Sequence, residues 1–419
     1  MRLRRPLLAL SAAAVLLLAS CASPDAAEVA ASPAATEEAS GSDSGHGAVA
    51  GAAEVAEPPL QLVSVDAGGG LGILDLLDGS TTELATIGAP ESTATDGRYV
   101  FATTDDGLEI VDSGVWTWDH VDHFHYYRSE PSLVGTLEGE GQVVVTTGPL
   151  ATAGGTGVFF SGSGDAVLLD NDALSNGEIV ESFRIETGAD QGLVAPLGTG
   201  ALVSVSDDTG RIQSLRFHDV DGTASGSADI GCVDAEGAMV SRVGLVVGCA
   251  DGALLATMDG GEPVFERIAY PESSAERATA FDGRKGRPTV AALAGGSGFW
   301  LLDTRERAWQ LVETGERLLR VSAVDDADGH VVGLHEDGSV RVYLAETGEE
   351  IAATESLLPE TLEDAALLEH VSVFVDAQRA YVNAPAEGVV YEIAYADGAR
   401  IARTLETPTE PVHLAEVGR

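Results

Sequence analysis

The sequence predicts an all-β fold, a single β-propeller of about eight blades with seven as the alternative. Three observations carry this. From Leu60 onward, strand-like runs rich in Val, Ile, Leu and Tyr flank Asp-Gly or Thr-Gly turns, the signature of hairpins: YVFATTDDGLEIVD (99–112), LVVGCADGALLATM (245–258) and VVGLHEDGSVRVYLAETGEEI (331–351). Such units recur near positions 62, 99, 158, 202, 245, 298, 331 and 380. Their spacing of roughly 35–60 residues suits four-stranded blades. Helical periodicity is weak over most of the body; residues 359–369 are the main exception and read as a short helix or loop.

Ahead of the body, residues 1–20 read as a secretion signal. Arg2, Arg4 and Arg5 precede an apolar run, Leu7 to Leu18, that is too short to span a bilayer. The following Leu-Ala-Ser-Cys resembles a bacterial lipobox, which implies cleavage before Cys21 and lipidation of that residue. Residues 21–59 are Ala, Ser, Gly, Glu and Pro with almost no large apolar side chain, and they read as a disordered tether holding the body, 60–419, off the membrane. The expected location is the outer face of the cytoplasmic membrane.

The body should close on itself. The first unit, around residues 61–85, lacks one strand, and the chain end PVHLAEVG offers one. A C-terminal strand completing the first blade would remove the open edges.

The formal charge is −44, from 23 basic and 67 acidic residues. That surface repels nucleic acid and anionic lipid, so the expected membrane link is the lipid anchor alone. Cys232 and Cys249 are the other two cysteines. In an exported, oxidising setting they read as one disulfide, with paired thiolate metal ligands as the alternative.

The segment that breaks the pattern is WTWDHVDHFHYYR, residues 116–128, within the second unit. It holds three of the nine histidines, His120, His123 and His125, with Asp119 and Asp122 among them. Imidazoles beside carboxylates suit a borderline-soft divalent cation such as Zn2+; the scarcity of Met and Cys argues against Cu(I). In an extended chain His123 and His125 share one face, while His120 joins them only if the chain bends near Val121 and Asp122. Asp122 or Asp119 could ligate or orient an imidazole. The alternative is a polar loop with aromatics packed on the propeller.

HVDHFHYYRSEP, preceded by GLEIVDSGVWTWD, resembles the AztD family of periplasmic zinc metallochaperones. The region GCVDAEGAMVSRVGLVVGCADGALL around the cysteines and the terminal PVHLAEVG are also similar. The resemblance implies a secreted propeller that binds zinc and passes it to the substrate-binding protein of a zinc ABC importer. It implies His120, His123 and His125 as ligands with Asp122 beside them. Two features depart from the family: only His46 and Asp43 echo its His/Asp-rich N-terminal segment, and Glu236 stands where the cysteine region carries a histidine. His46 and Glu236 are therefore the candidates for a second site.

Two rival functions are open at this point. A zinc hydrolase would need a general base, for which Asp119 or Glu130 could serve, but HExxH and GxSxG are absent from the sequence. A metal-free interaction platform would use Trp116, Trp118, Tyr126 and Tyr127 as its contact surface. His218, His330, His335, His370 and His413 sit singly in strand-like units and read as packing or turn residues.

Overall fold

The computed structural model describes residues 47–119, 123–225, 228–272, 276–295 and 297–419. The signal segment, Cys21 and His46 lie outside the described residues. Within them, eight four-stranded antiparallel sheets succeed one another along the chain, and a three-stranded sheet is added to the series. Each four-stranded sheet is a blade. Their second strands begin at Gln61, Tyr99, Gly155, Gly200, Leu245, Thr289, His330 and Ala380. The sequence-predicted units coincide with these to within a few residues, except that the unit near 298 is the third strand of its blade, Gly298–Asp303.

The core is divided among the clefts between blades. Val63 and Ile73 of the first blade meet Val100 and Val111 of the second. Tyr99 and Phe101 meet Val158 and Phe160 of the third. The series continues around to Leu62 and Leu74, which meet Tyr381 and Val390 of the eighth. Because each sheet lies between two others, its middle strands are buried on both faces. This is why GLEIVD, Gly107–Asp112, is buried throughout rather than in alternation. The strand His413–Val417 pairs antiparallel with Gln61–Val65, Val65 opposite His413 and Gln61 opposite Val417, and so completes the first blade as expected.

Cys232 follows the last strand of the fourth blade and Cys249 ends a strand of the fifth, so their disulfide joins two blades, with Cα atoms 5.0 Å apart. The exception at 359–369 is a 3-10 turn, Thr361–Glu363, and a short helix, Ala365–Glu369.

One expectation is corrected. Composition assigns residues 21–59 to a disordered tether, yet the described end of that stretch is ordered. Ala53–Val55 is a strand, the outer member of the three-stranded sheet. The segment has too few apolar side chains to make a core, but a strand needs only a partner edge, and the inserted hairpin supplies one.

Candidate metal centre

The histidine-bearing segment is a hairpin inserted between the last two strands of the second blade. Val115–Asp119 pairs with Phe124–Arg128, Val115 opposite Arg128 and Asp119 opposite Phe124. Ala53–Val55 pairs along the other edge of Phe124–Arg128, with Glu54 opposite Tyr127.

Buried chemistry anchors the base of the hairpin. The Arg98 guanidinium donates to both carboxylate oxygens of Asp112, at 3.0 and 2.7 Å, and lies 3.9 Å from the Trp116 ring centroid. Trp116 stacks on Tyr127 with centroids 5.3 Å apart. Arg128 pairs with Asp75 of the first blade at 2.7 Å. The Thr117 hydroxyl donates to the Gly418 carbonyl at 2.8 Å, beside the closing strand. Asp119 forms an ion pair with Arg242 of the fifth blade. The hairpin is thus fastened to several parts of the ring at once.

The N-terminal segment is fastened to the hairpin in turn. The Trp116 indole N–H donates to the Gly47 carbonyl at 2.9 Å. Gly47 has φ +75°, and a Cβ there would lie 2.3 Å from the Trp118 ring, so only glycine fits without displacement. The aromatics are therefore mostly structural. Trp116 and Tyr127 are buried, and Trp118 is half-buried against Gly47; among the described residues of the hairpin, Phe124 is the large apolar side chain left exposed. Of the four aromatics of the alternative contact surface, Trp116 and Tyr127 are thus withdrawn from solvent, while Trp118 and Tyr126 are half-buried.

His123 and His125 do share a face, as their parity predicts. Their Nε2 atoms are 2.9 Å apart and their rings cross at 66°. On its far side, His125 Nδ1 lies 2.7 Å from a carboxylate oxygen of Glu54. An ionised carboxylate only accepts, so Nδ1 carries the proton and Nε2 of a neutral His125 is a lone-pair donor. The Nε2 of His123 lies within hydrogen-bond distance of that nitrogen. Two nitrogens bound at 2.0–2.1 Å to a tetrahedral ion lie about 3.3–3.4 Å apart, so a small ring rotation admits Zn2+ between them. An acidic partner on the distal imidazole nitrogen is the usual support of a zinc-bound histidine.

The other expected site residues are placed as follows. His120 and Asp122 lie outside the described residues. Asp119 stands on the hairpin with its carboxylate paired to Arg242. Glu236 lies on the link between the fourth and fifth blades, where its carboxylate pairs with Arg277. Cys232 and Cys249 are joined to each other, which removes the thiolate alternative. Among the described residues no three His, Cys, Asp or Glu side chains converge as a metal-binding group, because Glu54 and His123 approach His125 from opposite sides. Glu54 was not anticipated: 71 residues separate it from His125, and no local spacing signals the pair.

The scattered histidines are engaged in packing and turns. His335 is buried, with Nε2 2.7 Å from the Tyr343 hydroxyl. His330 pairs with Asp326 at 2.7 Å, and His218 Nδ1 lies 2.9 Å from the Gly222 carbonyl. His413 is buried against the Pro90 carbonyl at 3.2 Å, and burial lowers its pKa to about 4.

No protein-family model matches this chain, and no curated protein does either. Solved structures share its fold. The crystal structure of Citrobacter koseri AztD superposes with a TM-score of 0.71 at 20% identity, covering 85% of this chain and 97% of that one. The structure of apo AztD from the same organism gives the same values. The dihydro-heme d1 dehydrogenase NirN, in complex with DHE, superposes at 0.52 with 16% identity, covering 87% of this chain and 76% of its own. An enzyme thus shares the architecture, so the fold alone does not decide function.

Proposed function

We propose that this chain is an exported zinc metallochaperone, lipid-anchored through Cys21, that passes zinc by ligand exchange to the substrate-binding protein of a zinc ABC importer. The observation that carries the reading is the pair of facing Nε2 atoms of His123 and His125, with Glu54 on the distal nitrogen of His125. The likeness of HVDHFHYYR to the AztD motif and the shared AztD fold support the same reading.

His120 and Asp122 complete the proposed ligand set. Three nitrogens and a carboxylate can hold zinc, and one of them can yield its position to an entering ligand of the partner. Such an exchange avoids releasing the aqueous ion. The negative surface raises the local cation concentration without itself forming a site. The proposed role is binding and release, not turnover. Asp119, which a hydrolase could use as its base, is tied to Arg242.

The test is zinc content and zinc titration of the full chain beside a His120/His123/His125→Ala triple variant. The parent should hold one zinc and pass it to the apo substrate-binding protein of a zinc importer, while a variant with an unchanged circular dichroism spectrum holds none. Equal binding by both chains, or none by either, removes the central residues of this reading.

A further inference from the structure

Glu54 belongs to the N-terminal segment and His125 to the inserted hairpin, yet the two side chains meet at 2.7 Å. The contact is set by pairing of the backbones. Ala53, Glu54 and Val55 stand opposite Arg128, Tyr127 and Tyr126, and Gly47, earlier in the same segment, packs on Trp118. The side chain of Glu54 is 58% exposed and that of His125 only 18%. Glu54 therefore contributes little packing of its own. The carboxylate does have a chemical consequence: it holds the proton on Nδ1 and leaves Nε2, the nitrogen facing His123, free of one.

We propose that Glu54 is a positioning residue for metal capture: it fixes the tautomer and ring orientation of His125, and through it the docked strand Ala53–Val55 governs how tightly the hairpin holds zinc. This inference rests on the zinc-binding reading above. It adds that the segment joining the tether to the propeller is part of the holding device. When that strand is paired with Phe124–Arg128, His125 presents a fixed Nε2. When the strand leaves, the imidazole loses its acceptor, its tautomer is no longer set, and the ion is held less firmly.

The experiment compares the full chain with Glu54→Ala and Glu54→Gln. It measures zinc affinity by chelator competition, the rate of zinc loss to excess chelator, and hydrogen exchange of the amides of residues 53–55 and 124–128. Glu54→Ala should weaken zinc binding by about 10–100-fold, the usual cost of removing a partner of a metal-bound histidine, and should speed zinc loss. Glu54→Gln keeps an acceptor without the charge and should fall between it and the parent. Amide protection should be unchanged in both, since backbone bonds hold the strand.

Affinities of both variants within about twofold of a zinc-binding parent overturn this inference and leave the zinc site standing. So does a loss in Glu54→Ala that tracks lost amide protection while Glu54→Gln, still protected, binds like the parent. A parent that binds no zinc overturns the underlying reading as well.

Discussion

His123, which immediately precedes the strand Phe124–Arg128, and His125 within it bring their Nε2 atoms to 2.9 Å, with ring centroids 4.8 Å apart. Residues two apart in an extended chain point the same way, and the chain keeps that parity one residue beyond the strand. Each ring should then be individually necessary for zinc. His123→Ala and His125→Ala should each weaken zinc by more than the roughly 10–100-fold expected for an outer partner such as Glu54. Phe124→Ala, whose ring is exposed, should leave affinity unchanged. Chelator competition on the three variants checks this. Equal affinities for parent and both histidine variants would place the ion elsewhere.

How much of this could be read beforehand depends on the range of the interaction. Asp-Gly turns and apolar runs act locally, so the blades were legible and the closing strand followed from a count of what the first blade lacked. The parity of His123 and His125 is local as well. Glu54 was hidden because strand pairing between the N-terminal segment and the hairpin leaves no mark in either sequence. AEV is too short and too polar to read as a strand without its partner. The same holds for Trp116. Its crowding with other aromatics suggested a surface, whereas Arg98, 18 positions away in sequence, draws it into the base of the hairpin at 3.9 Å.

Arg98 is buried and bonded through two nitrogens to Asp112. Removing it leaves a carboxylate with no counter-charge and Trp116 with an empty face. Arg98→Ala should destabilise the fold by about 3–5 kcal/mol, the usual cost of breaking a buried pair from one side. Zinc affinity should fall with it, because Trp116 also holds Gly47 and hence the N-terminal segment. Urea unfolding and zinc titration of the variant measure the two effects. A loss under 1 kcal/mol would show that this pair does not anchor the hairpin.

The bond between Cys232 and Cys249 closes a loop with a sequence separation of 17. In the loop-entropy view it contributes about 3 kcal/mol. A Cys232→Ala/Cys249→Ala double variant should lower the urea midpoint accordingly, with zinc stoichiometry unchanged. Loss of a zinc equivalent from the double variant would revive the thiolate-ligand alternative.

Glu416 gives the stability a pH dependence of unusual sign. It lies on the closing strand with its side chain wholly buried, and neither carboxylate oxygen has a hydrogen-bond donor among the described residues. The nearest cation is Arg419, whose Nη1 is 3.4 Å away. Burial pushes the Glu416 pKa up from 4.5 to about 7, against the pull of Arg419. The folded chain therefore keeps a proton at this site that the unfolded chain has released. Below the unfolded value both states are protonated and no penalty exists. Between about 4.5 and 7 the penalty grows as pH rises, and above 7 it is constant, on the order of 3 kcal/mol. Asp282, raised by burial to about 6, adds a cost of the same sign over a lower range. Glu416→Gln keeps the shape of the neutral acid and removes the titration. The parent and this variant should have similar urea midpoints at pH 4.5, and the variant should be the more stable at pH 8. Stability curves that stay parallel across that range would mean that Glu416 ionises in the folded protein as it does in the unfolded one.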